Sequence, residues 1–343
     1  MKLDSHQHFW RYSASEYPWI PPGSPLQRDW LPADLERLHR SLGFDGSIAV
    51  QARQSLAESW WLLGLADADP RVKGVVGWVD LQSDRLEESL APLAAHPRFV
   101  GVRHVAQDEP DERFLVRPSV LQGIGALSQF GLTYDILIYP KQLPAALELV
   151  AQFPDQPFVL DHIAKPLIRQ GLIEPWASQI RELAQHPNVC CKVSGMVTEA
   201  DHQKWQFGDF RPYLDVVFEA FKPERLMFGS DWPVCLLGGS YEQIEGLARD
   251  YVRHLGPEHA ADFWGENCAR FYLNNELTDF TLTPEADGKP VANRAEGGKR
   301  PRSSMAPTIV FFLSIFVWKE PLSPEKLLCF VCIWAAIAIF SVD

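Results

Sequence analysis

Hydrophobic positions alternate between two spacings along the first 273 residues. Short runs rich in Val, Ile, Phe and Leu, such as "GSIAVQA" and "FVGVRHV", predict buried strands. Longer stretches between them, such as "LPADLERLHRSL" and "YEQIEGLARDYVRHL", repeat apolar residues every three or four positions, as amphipathic helices do. About eight strand–helix pairs follow one another, and this repeat predicts a (β/α)₈ TIM barrel over residues 1–275.

A doubly wound open sheet would show the same alternation of strands and helices. That fold commonly carries a glycine-rich phosphate-binding loop directly after a strand. No segment of that kind follows any of the predicted strands. The sequence therefore favours the barrel over the open sheet.

Polar or ionisable residues stand at the ends of most predicted strands. Barrel active sites lie at the carboxyl ends of the strands, so these side chains are expected to converge on one mouth. Alternate residues of a strand share a face, which predicts that Asp4, His6 and His8 point to the same side. The strand-end residues are Gln51, Asp80, Arg103, His104, Asp135, Asp161, His162, Lys192 and Asp231, besides His6 and His8.

The net charge of the chain indicates which classes of partner it can bind. The chain carries a formal charge of −12, which argues against a nucleic-acid partner. The first strand begins at Leu3 with no signal-peptide pattern before it, and the cysteines show no secretory framework. These features predict a cytoplasmic protein that acts on a small molecule.

The character of the chain changes after the barrel. Residues 276–304 are polar and rich in Pro, Gly and charge, which predicts a flexible linker. Residues 305–343 hold two apolar runs, each shorter than the roughly 20 residues of a membrane span. This tail resembles the C-terminal end of a drug/metabolite transporter. We expect an accidental appendage, with a membrane anchor as the alternative and membrane contact only through this tail.

Four motifs together carry a family resemblance. The segments "DSHQHFW", "DHIAKP", "CKVSG" and "FGSDWPV" resemble the amidohydrolase superfamily, in particular its sugar-lactone hydrolases of the L-fuconolactonase and L-rhamnonolactonase type. The resemblance implies hydrolysis of an aldonolactone. It makes Asp231 the base that activates water, with His162 and Arg103 as further catalytic residues. It also implies His6, His8, His162 and Asp231 as ligands if a divalent metal is present, zinc being favoured over other ions; a metal-free site is the alternative.

The number of well-placed arginines also limits the class of substrate. A dicarboxylate would require several convergent arginines, whereas Arg103 alone is well placed. A neutral sugar lactone needs partners for its hydroxyl groups instead. The candidate substrate-binding residues are Gln51, Asp80, His104, Asp135, Tyr139, Lys165 and Trp232. The alternatives are a metal-dependent decarboxylase of an unsaturated carboxylate, a 2-pyrone-dicarboxylate lactonase and a membrane-tethered binding protein.

Overall fold

Eight parallel strands pair in chain order around a barrel in the computed structural model, which describes residues 1–273. Each strand hydrogen-bonds to the next one along the chain, and buried residues fill all of them. The predicted barrel is therefore confirmed. The strands are β1 (Leu3–Gln7), β2 (Gly46–Val50), β3 (Val72–Gly77), β4 (Phe99–His104), β5 (Thr133–Ile136), β6 (Phe158–Leu160), β7 (Val189–Val193) and β8 (Leu226–Phe228).

One helix follows each strand, and its apolar side packs on the barrel, as the three- and four-residue spacing predicts. Two further short helices end the described chain. The helices are α1 (Pro32–Leu42), α2 (Leu56–Ala68), α3 (Leu86–Ala94), α4 (Pro118–Leu127), α5 (Leu143–Gln152), α6 (Trp176–Leu183), α7 (Phe207–Phe221), α8 (Tyr241–Val252), α9 (Pro257–Ala261) and α10 (Asn267–Tyr272).

The barrel closes where residues beyond β8 meet β1. The Asp231 amide donates to the His6 carbonyl at 2.8 Å, and the His8 amide donates to the Trp232 carbonyl at 2.7 Å. Two segments more than 220 residues apart in sequence therefore lie side by side. This closure places His6 and His8 next to Asp231.

The lower part of the barrel interior is apolar. Leu3, Ile48, Val159 and Met227 form one buried cluster there with Tyr272 of α10. The final helix thus covers the end of the barrel opposite the mouth, and the polar strand ends remain at the other end.

The face of Asp4 differs from the prediction. The pairing of β1 with β2 shifts between Asp4 and Gln7, so strict alternation fails there. Asp4 turns away from the barrel interior and accepts a hydrogen bond from Tyr241 of α8 at 3.0 Å. His6 and His8 face the interior, as predicted.

The predicted linker and apolar tail lie outside the described residues. Within residues 1–273, none of the helices is long and apolar enough to cross a membrane.

Candidate active site

Three side chains meet at the closure of the barrel. His8 Nε2 lies 3.2 Å from His6 Nε2 and 3.2 Å from Asp231 Oδ1. His6 Nε2 lies 3.9 Å from the same carboxylate oxygen. All three residues are buried. In a tetrahedral zinc site with ligand bonds of about 2.0–2.1 Å, neighbouring ligand atoms lie about 3.3 Å apart. These spacings are therefore compatible with a bound divalent ion.

The protonation of the two imidazoles supports this fit. His8 Nδ1 donates to the Val50 carbonyl at 2.8 Å, and His6 Nδ1 lies 3.2 Å from the Asp161 carboxylate. The His8 contact assigns the proton of that ring to Nδ1 and leaves its Nε2 as a lone pair. At His6, the donor Arg103 Nη1 lies 3.2 Å from Nε2, so Nε2 is the acceptor. Burial holds the pKa of His6 well below its usual value, so the ring is neutral. Two lone pairs and a carboxylate oxygen that face one another form a donor set suited to a cation.

His162 joins the cluster from an unusual turn. Residues 162–165 of "DHIAKP" all adopt the left-handed conformation, with φ between 47° and 59°. This conformation is costly for residues other than glycine. The Lys165 amide donates to the His162 carbonyl at 2.8 Å, and the Trp176 indole donates to the Ile163 carbonyl at 2.7 Å, which both hold the turn.

The turn directs the His162 ring to the cluster. Its Nε2 lies 3.9 Å from Asp231 Oδ1, and its Nδ1 forms a 2.8 Å hydrogen bond with the Ser194 hydroxyl. Gly195 must be a glycine, because a Cβ there would lie 2.6 Å from the His162 ring. Burial, and then the neighbouring His6, lowers the pKa of His162 well below its ordinary value.

Arg103 lies beneath the cluster. Its Nη1 donates to Asp161 Oδ2 at 3.1 Å and lies 3.2 Å from His6 Nε2, while Nη2 donates to the Gln51 carbonyl. Burial favours the uncharged form of Asp161. Lys192, His6 and Arg103 outweigh this effect of burial and hold the pKa of the carboxyl well below its usual range. Arg103 and Asp161 thus fix His6 from opposite ends of its ring.

A buried ion pair connects this region to the far end of the barrel. Lys192 Nζ lies 3.0 Å from Asp161 Oδ1 and donates to Asp135 Oδ2 at 2.6 Å. The Tyr272 hydroxyl donates to the same Asp135 oxygen at 2.8 Å. Burial raises the pKa of Asp135 to about 6. Asp135 therefore lies below the cluster, where the structure gives it Lys192 and Tyr272 as partners.

Behind the cluster, Asp4 ties β1 to the segment that follows β8. Its Oδ1 accepts from the His6 and Ser230 amides, at 3.1 and 2.9 Å. Its Oδ2 accepts from the Ser230 and Tyr241 hydroxyls, at 2.6 and 3.0 Å. Four donors on one buried carboxylate hold the backbone on either side of the cluster, including the left-handed Asp231.

The predicted substrate residues at the mouth fall into separate groups. His104 Nε2 forms a 2.7 Å hydrogen bond with Glu109, and the Trp78 indole donates to its Nδ1 at 3.3 Å. Lys165 Nζ lies 5.5 Å from the centre of the Tyr139 ring. Both groups lie at the rim, outside the histidine–aspartate cluster.

Three other predicted residues have different surroundings. Asp80 is exposed and accepts from the Gln82 amide at 3.1 Å. Gln51 is buried against Arg103, to whose carbonyl its amide donates at 3.4 Å. Trp232 is buried edge-to-face against Trp30, with ring centres 5.0 Å apart.

The sequence indicates no role for Asp161 or Glu199, and for Lys192 it leaves open a salt bridge or substrate binding; the structure brings all three near the cluster. Asp161 and Lys192 are polar residues near the ends of β6 and β7, but only the folded barrel shows that they form an ion pair. Glu199 lies in the loop after β7, where no periodicity marks it. Its distance from Lys165 Nζ is 4.0 Å.

Comparison with known proteins agrees with this geometry. The sequence family described as Amidohydrolase matches residues 3–273. An L-fucono-1,5-lactonase of Burkholderia multivorans is 40% identical over 297 residues, covering 82% of this chain and 99% of that protein. An L-fucono-1,5-lactonase of Burkholderia ambifaria is 36% identical, covering 79% and 95%.

A solved structure shows the same fold. The crystal structure of an amidohydrolase from Burkholderia multivorans with bound zinc superposes with a TM-score of 0.76 at 40% identity, covering 79% of this chain and 99% of that one. The match of the family extends across the whole described barrel, from the first strand to the last helix. This chain belongs to the amidohydrolase family.

Proposed function

We propose that this protein hydrolyses a sugar lactone, an aldonolactone such as L-fucono-1,5-lactone, to the open aldonic acid. The observation that carries the proposal is the convergence of His6, His8 and His162 on the carboxylate of Asp231 at the barrel mouth. The two Burkholderia lactonases, which match nearly their full length, support the choice of substrate class.

Asp231 is the proposed base. Its carboxylate accepts a proton from water as the water oxygen bonds to the lactone carbonyl carbon. The bond between that carbon and the ring oxygen then breaks, and the proton held on Asp231 passes to the departing ring oxygen. The product carries a carboxylic acid and a free hydroxyl group. The neighbouring imidazoles fix the carboxylate beside the site of attack.

His162 and Arg103 are proposed to stabilise the charge that develops on the carbonyl oxygen. His162 lies on the Asp231 side of the cluster. Arg103, held by Asp161 and the Gln51 carbonyl, adds its positive charge only from behind His6. Positively charged or N–H groups placed at the developing oxyanion lower the barrier to addition.

A divalent metal fits the donor set, and we propose zinc, which the 40% identical structure contains. His6, His8 and Asp231 would hold it, with His162 at the edge of the set. When bound, such an ion polarises a carbonyl or lowers the pKa of water. Arg103 Nη1 lies 3.2 Å from His6 Nε2, so the guanidinium would have to move off that nitrogen for His6 to hold the ion.

Among the predicted substrate residues, Tyr139, Lys165 and His104 keep that role in the proposal because they lie at the rim. Asp135 and Trp232 are enclosed by other contacts, so we assign them to the support of the site. We also propose a cytoplasmic location, since the four cysteines of the described residues, Cys190, Cys191, Cys235 and Cys268, are buried free thiols.

The alternative substrates fit less well. A pyrone dicarboxylate needs several arginines directed at its carboxylates. The guanidinium of Arg103 is already engaged by Asp161 and the Gln51 carbonyl. A decarboxylase that acts on an unsaturated acid would use the same donor set. The release of carbon dioxide distinguishes it from a lactonase.

A substrate panel tests the proposal. Purified protein is mixed with aldonolactones, with 2-pyrone-4,6-dicarboxylate and with an unsaturated carboxylate, and proton release and carbon dioxide are recorded. We expect proton release with one or more sugar lactones and no carbon dioxide. Carbon dioxide from the carboxylate, without hydrolysis of any sugar lactone, would contradict the proposal.

A further inference from the structure

A cavity of about 660 Å³ opens between the loops that follow β6 and β7, the strands whose ends carry His162 and Ser194. Its walls are mainly polar and include Arg169, Thr198, Glu199 and His202. A six-carbon lactone fits within a space of this size. The chemistry of these walls therefore bears on which lactones enter.

Glu199 lines this cavity close to the turn that carries His162. Its side chain keeps 19% of its surface exposed. Lys165, from that turn, lies 4.0 Å away. Burial raises the pKa of Glu199, and the opposing charge of Lys165 offsets this only in part.

The contacts of the Glu199 carboxylate are long. The Thr198 hydroxyl approaches Oε1 at 3.4 Å, and Lys165 stands at the outer limit of an ion pair. A carboxylate has about four lone-pair positions for hydrogen bonds. Most of this acceptor capacity is therefore open to a molecule in the cavity.

The loop does not depend on that carboxylate. The Glu199 amide donates to the Met196 carbonyl at 3.1 Å, and the Thr198 hydroxyl donates to the Gly195 carbonyl at 2.7 Å. These bonds form the turn without the Glu199 side chain. A substitution at Glu199 should accordingly leave the fold intact.

We propose that Glu199 accepts hydrogen bonds from hydroxyl groups of the sugar lactone, and thereby selects polyhydroxylated lactones over unsubstituted ones. The inference rests on the proposed function and deepens it. A partly buried carboxylate is a strong acceptor for sugar hydroxyls, and an unsubstituted lactone offers it no donor. A site built to bind a hydroxyl discriminates against the analogue that lacks it.

The test compares two lactones of equal ring size, L-fucono-1,5-lactone and unsubstituted δ-valerolactone. We expect Glu199→Gln and Glu199→Ala to lower kcat/KM for the sugar lactone by about 10- to 100-fold, the loss of a hydrogen bond to a charged group. Most of the loss should be in KM, as for an interaction made equally in the bound and transition states. For δ-valerolactone, kcat/KM should stay within about twofold.

Asp201→Asn is the matched control. Asp201 lines the same cavity, but its carboxylate accepts from the Gln203 amide of its own loop at 3.1 Å. We expect Asp201→Asn to leave kcat/KM unchanged for both lactones. An equal selective loss in Asp201→Asn would assign the effect to the charge of the cavity and overturn the role of Glu199.

The outcomes separate the two proposals. If wild-type protein hydrolyses the sugar lactone and the Glu199 variants match it, or lose activity on both lactones alike, the inference is wrong and the proposed function stands. If wild-type protein does not hydrolyse any sugar lactone, the proposed function fails and the inference fails with it.

Discussion

His8 Nε2 and Asp231 Oδ1 lie 3.2 Å apart, although 223 residues separate them along the chain. Closure of the barrel creates this contact, since the amide of Asp231 bonds to the carbonyl of His6. The candidate active site is therefore assembled from the two ends of the fold, and it exists only when β1 and the segment after β8 meet.

The donor set predicts metal binding through His8. We expect wild-type protein to bind about one divalent ion per chain, and His8→Ala to weaken zinc affinity by about 100-fold or more. The exposed His254 provides a control, and His254→Ala should bind zinc as wild type does. Metal content after dialysis and zinc titration measure both variants.

The rate of lactone hydrolysis by metal-free protein shows whether the bound ion is needed for activity. Chelator treatment should abolish lactone hydrolysis, and added zinc should restore it. Unchanged turnover without metal would leave His6, His8 and His162 as hydrogen-bonding groups at the lactone.

The buried ion pair predicts a large effect on stability. Lys192→Met leaves Asp135 and Asp161 without their shared cation in the barrel interior, which should lower the free energy of unfolding by about 3–5 kcal/mol. Lys165→Met, at the rim, should cost less than about 1 kcal/mol. Denaturant unfolding compares the two variants, and equal losses would contradict the assigned role of Lys192.

Glu58 predicts a pH dependence of stability. Its carboxylate accepts from the Ala52 and Arg53 amides, at 3.0 and 2.9 Å, and from the Tyr17 hydroxyl at 3.0 Å, so it connects the loops after β1 and β2. Burial raises the pKa of Glu58 from 4.5 to about 7. The raised pKa favours the protonated form, so this contribution to stability is complete below pH 4.5 and is lost as the pH rises to about 7.

Glu58→Gln removes this titration. We expect the variant to gain stability relative to wild type by up to about 3 kcal/mol as the pH rises from 4.5 to 7. Unfolding free energies at several pH values measure the difference. A difference that is constant with pH would show that Glu58 does not titrate in this range.

Two truncations test the proposed domain boundary. A chain that ends at Asn275 keeps α10 and the bond from Tyr272 to Asp135, so it should fold cooperatively and hydrolyse lactone at the full-length rate. A chain that ends at Glu266 lacks α10 and should be insoluble or unstable. If the longer truncation also failed to fold, residues after 275 would be part of the barrel.

Periodicity in the sequence predicted the barrel, because strands buried under helices require those two spacings. It also predicted that His6, His8, His162 and Asp231 come to one mouth. The direction of Asp4 was predicted wrongly, because a pairing shift in β1 has no periodic signal. The left-handed turn at His162 and the position of Glu199 depend on contacts between distant loops, which spacing along the chain does not contain.

The most direct test of the account is the rate of sugar-lactone hydrolysis by Asp231→Asn. Asparagine keeps the shape of the side chain and tolerates the left-handed backbone at this position, where φ is 57°, but it cannot accept the proton from water. With the exposed Asp155→Asn as a control, we expect unchanged melting temperatures and a kcat lowered by about 10²- to 10⁴-fold in Asp231→Asn alone. Near-wild-type hydrolysis by a folded Asp231→Asn protein would contradict the account.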